Sequence, residues 1–318
     1  MQVAALILPV FAVIVTGWIA GHSGYVARGT SDALIHFAYY VAMPALLVVT
    51  IAEEPARSLE AWPFLAAFGG GSLIVFALVF AAVKLPGGRG VAGPSMQASA
   101  ASMTNTGFVA LPILQATYGP RAILPAAIAT VFVAVVMFPA AVALLELDRP
   151  KEASAPWAGP VNLARHVVLN PMVLSTLIGL AWAASGLPMP APVGAYLHIL
   201  ANALTACALF AIGLGLSVEG LVATLERSAA LTTVKLVVMP LIVLALAIAL
   251  RLAPLYAIAA VVCAAVPTAK TVYILAGEYK CEEKLVSATV SMTTLFSIAT
   301  LIVWMFVLAA MFPLGDAG

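Results

Sequence analysis

The side chains best suited to chemistry gather in two short stretches of this sequence. "TNTG" at 104–107, followed by Pro112, and "PTAKT" at 267–271 place polar groups inside runs otherwise apolar enough to cross a membrane. Asn105 offers an amide, Thr104, Thr106, Thr268 and Thr271 offer hydroxyls, and Lys270 offers a full positive charge. Such donors suit the holding of an anion, above all a carboxylate. The marks of catalysis are missing from the sequence. No Ser/Lys pair, paired-carboxylate site or His/Asp metal cluster has a usable spacing. All 13 Asp and Glu fall in loops or at the ends of apolar runs. Lys270 therefore has no obvious buried carboxylate to neutralise it, unless Glu146 or Glu278 folds back, and its partner could be a substrate. The competing reading is a lysine that snorkels along an aqueous cavity.

The elements that position these residues follow from composition. Of 318 residues, 64% are hydrophobic and 8% charged, and mean hydropathy is +1.13. Soluble domains carry about 25% charged residues, so this chain cannot build a water-facing surface. Lipid leaves unpaired backbone groups without partners, which makes the expected fold all-α and membrane-embedded. The net charge of +1 and the lack of a basic cluster give no sign of a nucleic-acid partner. Three cysteines form no disulfide framework, and neither metal nor cofactor is expected.

Ten apolar runs are expected to span the bilayer, at 3–21, 33–51, 62–83, 92–117, 122–145, 165–185, 194–216, 229–250, 255–277 and 285–312. The longest connector divides the chain into residues 1–145, a linker at 146–163, and residues 164–318. Orientation follows the Lys/Arg bias of the loops. Arg28, Lys84, Arg89, Arg149, Lys151, Arg165, Arg227, Lys280 and Lys284 mark the cytoplasmic side, against Arg57, Arg121 and Arg251 opposite. Both termini are then periplasmic or extracellular, and Lys235 and Lys270 fall inside spans. Five spans per half require any internal repeat to be inverted. Pro9, Gly17, Gly24 and His36 recur 162 residues later as Pro171, Gly179, Gly186 and His198, and "ILQATY" (113–118) answers "ILAGEY" (274–279).

Runs 4 and 9 occupy matching places in that repeat and carry the two polar stretches. Proline removes a donor and crowds the preceding turn, so each run is expected to be two half-helices joined by unwound backbone. Interrupted helices in inverted halves point to a transporter's site near the midplane, and half-helix N-termini favour an anion. Each residue alone has a plainer use: proline as a kink, Asn105 as an interhelical hydrogen-bond partner. Gln97 and Gln115, two to three turns either side of Asn105, are candidates for the path, as is Asn202 in run 7. His36 and His198 titrate in the physiological range but read first as polar contacts near the interface. Asn170 reads as the opening of run 6.

These words in this order resemble the auxin efflux carrier family of secondary transporters, which includes plant auxin exporters and bacterial carriers of malonate-type acids. The similarity rests on Asn105-Thr106 with Ala110 and Pro112, on Pro267 through "VYILAGEY", on "LNPMVLSTLIGL" (169–180) and on "ALFAIGLGLS" (208–217). It implies a bacterial inner-membrane carrier with a crossover fold like that of bile-acid symporters and cation antiporters, in which runs 4 and 9 cross. Runs 1, 2, 6 and 7 would form a scaffold, often dimeric, and runs 3–5 and 8–10 a mobile transport domain that moves like an elevator. It implies that Asn105 holds a substrate carboxylate. One departure is Thr271, where many bacterial relatives carry a second asparagine, with Lys270 beside it.

The reading is export of a small organic anion, with Thr106 and Thr268 as hydroxyl donors and Lys270 as counter-charge. Cation antiporters of related architecture use buried aspartates, which this chain lacks. A bile-acid-type sodium symporter is the alternative, with Ser99, Ser102 and Thr104 as available oxygens, and proton coupling or uniport also fits. A receptor with an inert carrier-like core is a further class, but the sequence holds no appended signalling domain.

Overall fold

A computed structural model describes residues 2–27, 29–53, 62–85, 90–148, 169, 171–215 and 224–313. Arg28, Arg57, Arg89, Arg149, Lys151, Arg165, Asn170 and the expected linker beyond Asp148 lie outside the described residues.

The described chain is helical, and no named strand occurs in it. The helices are α1 (Gln2–His22), α2 (Thr30–Glu53), α3 (Trp62–Lys84), α4 (Ala92–Ser102) and α5 (Leu111–Tyr118). They continue as α6 (Pro120–Glu146), α7 (Pro171–Ser185), α8 (Ala191–Leu214) and α9 (Leu225–Ala249). The last three are α10 (Pro254–Ala265), α11 (Lys270–Glu278) and α12 (Glu283–Met311). Among the described residues six helices are long and apolar enough to span a bilayer: α2, α3, α6, α8, α9 and α12. Run 4 is divided into α4 and α5, run 9 into α10 and α11, and run 6 is described at Leu169 and from Pro171 onward.

Proline acts less disruptively than expected. Wide π turns at Ala38–Ala42, Thr106–Ala110, Val133–Met137 and Val234–Val238 stand two residues before Pro44, Pro112, Pro139 and Pro240. The missing N–H and the ring's clash with the preceding turn are absorbed by one wide turn, and the helix continues. Pro112 therefore does not make the break in run 4. The chain unwinds at Met103–Asn105, seven residues earlier, whereas Pro267 lies within the second break, at Val266–Ala269.

The breaks meet. Thr104 and Thr268 form an isolated antiparallel bridge. The Asn105 N–H donates to the Pro267 carbonyl at 2.9 Å, and the Ala269 N–H to the Met103 carbonyl at 3.0 Å. Unwound backbone in a lipid setting must be paired internally, and each break supplies the other's partners. The half-helices leading into them, α4 and α10, are buried on all sides from Pro94 to Ser102 and from Ala257 to Ala265. Their mostly small side chains let neighbours approach closely. Around them pack α3, α6, α9 and α12, while α1, α2, α7 and α8 pack chiefly on one another.

Candidate functional site

Beside the bridged breaks lies a cavity of about 60 Å³. Asn105, Pro267, Thr268 and Lys270 line it from the breaks, Ile212 and Gly215 from the end of α8, and Ser291 and Thr294 from α12. Asn105 caps the turn that leads into α5, its carbonyl accepting from the Val109 N–H at 3.1 Å, and only 9% of its surface is accessible. Lys270 opens α11, directly after extended Ala269. A cation at this position faces the positive end of the α11 dipole, which makes an anion there doubly welcome. Among the described residues neither the Asn105 amide nor the Lys270 ammonium has a hydrogen-bond partner.

Thr268 and Thr294 are committed to protein partners. Thr268 donates its hydroxyl to the Ala100 carbonyl at 2.6 Å, and its N–H to the Thr293 hydroxyl at 3.2 Å. The Thr294 hydroxyl returns to the Val290 carbonyl of its own helix at 2.7 Å. Thr104 is buried with its hydroxyl unpartnered, and Thr106 is buried in the π turn.

Several expected site residues stand elsewhere. Thr271 is exposed in the first turn of α11 and does not line the cavity. Pro112 is buried inside α5. Gln97 donates to Glu282 at 3.0 Å, where Arg227 also donates at 2.8 Å, so it belongs to a polar network at the helix ends. Gln115 accepts from Thr205 at 3.3 Å and links α5 to α8. Asn202 is exposed on α8 outside the cavity. His198 meets Glu53 at 3.3 Å, both about half exposed, and the His36 ring lies against Tyr40. Glu146 accepts from the Tyr279 hydroxyl at 2.6 Å rather than turning back to Lys270.

Lys235, which the sequence places inside a span, was given no role there. It is fully buried in the π turn of α9 and donates to the Ala264 carbonyl at 2.5 Å and the Val266 carbonyl at 2.7 Å. These are the carbonyls that the end of α10 leaves without helical partners, so a tethered ammonium sits at the negative pole of a broken helix. A lysine inside an apolar run was the available signal. Ser291 and Gly215 carried none: a serine in an apolar helix and a glycine near a helix end are too common to stand out.

A family model described as "Membrane transport protein" matches residues 2–305. The chain belongs to the auxin efflux carrier family. Members of this family are membrane transporters, and this one is a multi-pass helical example. It is similar to the "Putative malonate transporter" of Rhizobium meliloti (strain 1021), 29% identical over 300 residues, which cover 94% of this chain and 93% of that one. It is also similar to "Auxin efflux carrier component 8" of Arabidopsis thaliana, 26% identical over 150 residues, covering 45% of this chain and 41% of that one.

Proposed function

We propose that this auxin efflux carrier family member moves a small carboxylate across the membrane by alternating access, outward from the cell, with the substrate held at the break cavity. The observation that carries this is the pair of unpartnered donors, the Asn105 amide and the Lys270 ammonium, facing one small cavity. Amide and ammonium donors together would satisfy a carboxylate's oxygens, and the half-helix ends at the bridge add their dipoles. A volume of about 60 Å³ is only a few waters' worth, which suits a malonate-sized acid better than an indole-bearing one.

Ten spans in two inverted halves, with runs 4 and 9 crossing, account for the bridge between Thr104 and Thr268. The division into a scaffold of runs 1, 2, 6 and 7 and a moving unit of runs 3–5 and 8–10 accords with which helices pack on one another. An elevator motion would carry the cavity along the α2 and α8 wall, and a homodimer would anchor that wall. The cavity lies beside the C-terminal end of α8, the side that the loop charges assign to the cytoplasm, which supports an inward-facing state. Lys235 occupies the Ala264 and Val266 carbonyls, so these two oxygens at the break are not open to a sodium ion, which weighs against the sodium-symporter alternative. A proton or the membrane potential is the driving force this reading favours. The test is carboxylate-dependent stabilisation of purified protein, which Lys270→Ala abolishes.

A further inference from the structure

The cavity has a second charged neighbour that the carboxylate reading does not use. Lys270 reaches across it toward the end of α8: its ammonium lies 3.8 Å from where a Cβ on Gly215 would stand, and the Ser31 hydroxyl 3.0 Å from the same point. Ser31 donates to the Ala211 carbonyl at 2.8 Å, which fixes the first turn of α2 against the last turn of α8. The next residue is Asp32, exposed in that first turn, and it is the acidic group whose charge acts on Lys270. No hydrogen bond or close ion pair joins the two among the described residues. The N-terminal end of α2 favours a negative charge at this position, and the C-terminal end of α8 favours a positive one facing it.

We propose that Asp32 is a specificity-determining residue of this site: its carboxylate competes with the substrate's for the Lys270 ammonium and so tunes the cavity to singly charged carboxylates. This rests on the carboxylate reading above. Lys270 and Asp32 together bring no net charge to the empty cavity. A monoanion adds one negative charge beside Asp32, whereas a dianion adds two, and among the described residues lining the cavity Lys270 is the one cation. The same competition holds Lys270 to the α2 and α8 wall until substrate draws it away.

The experiment is calorimetric titration of the full chain in detergent with propionate and with malonate at about pH 8, where carboxyl groups are ionised. Asp32→Asn is expected to shift the affinity ratio toward malonate by about tenfold, the scale of one nearby charge. Asp32→Glu keeps the charge and should hold the wild-type ratio. An unchanged ratio in Asp32→Asn, or a parallel loss of both ligands, overturns the proposal. Should Asp32→Asn fail to fold, judged by size exclusion, the same ratio is read in Asp32→Ser. If the wild type binds neither acid, or Lys270→Ala leaves binding intact, the carboxylate reading itself falls and takes this inference with it. If Lys270→Ala abolishes binding while the ratio ignores residue 32, only the inference falls.

Discussion

Two lysines inside apolar runs have opposite fates at the break. Lys270 lines the cavity with no hydrogen-bond partner among the described residues, and Lys235 is fully buried on the Ala264 and Val266 carbonyls. An ammonium has three donors to place, and Lys235 places two of them where α10 ends. Lys235→Met should leave those carbonyls unpaired, at about 1–3 kcal/mol each. The expected result is a melting temperature lower by several degrees in scanning fluorimetry, and an unchanged one would contradict the role. The sequence singled out Lys270 and not Lys235 because proline and threonine flank the first, whereas valine and leucine flank the second. Which backbone a lysine meets 29 to 31 residues along the chain depends on tertiary packing, and no local pattern records it. Asn105, Thr268 and Lys270, which line the break cavity, stood out in the sequence because polar groups in an apolar run are expensive unless used. Gln97 was misleading for the same reason: its use is a contact with Glu282, away from the cavity.

Among the elements, glycine decides how closely α1 and α8 approach. A Cβ on Gly17 would overlap the Phe210 carbonyl, and one on Gly213 the Ile14 carbonyl, so each helix lays its backbone on the other's glycine. Small residues permit such approach where no hydrophobic force drives helices together. Gly213→Ala should force the pair apart and lower both folded yield and melting temperature. Gly277→Ala in α11, where nothing lies within 4 Å, should leave both unchanged or slightly improved. Equal behaviour of the two variants in fluorescence-detected size exclusion would refute the close-packing account. Helix breaks were legible as features of runs 4 and 9, and Pro267 marked the second, but Pro112 did not mark the first. Proline suggested Pro112 as a breakpoint, yet π turns absorb Pro44, Pro112, Pro139 and Pro240 alike. What opens the chain at Met103–Asn105 is the partner backbone at Pro267 and Ala269, a long-range pairing invisible in one strand of text.

For the whole molecule, the helical membrane class followed directly from 64% hydrophobic and 8% charged residues, since lipid admits few folds. The sidedness inferred from loop lysines and arginines has its own test at Cys281, in the turn between α11 and α12. Burial, then the charges of Glu282 and Asp148, push its thiol above the ordinary range. Its reactive thiolate thus forms at higher pH than a free cysteine's. An impermeant maleimide should label Cys281 in inside-out vesicles, slowly near neutrality and faster as pH rises, with Cys281→Ser as control. Labelling in right-side-out vesicles would reverse the assigned orientation. The central claim is that the Asn105 amide and the Lys270 ammonium together hold a carboxylate. Its most direct test is thermal shift of the purified protein with a panel of mono- and dicarboxylates, on wild type and Lys270→Ala, with and without sodium. The account predicts that at least one small carboxylate raises the wild-type melting temperature without sodium, and that Lys270→Ala abolishes the shift while remaining folded. A wild type that no carboxylate stabilises, or a shift that survives in Lys270→Ala, would contradict it.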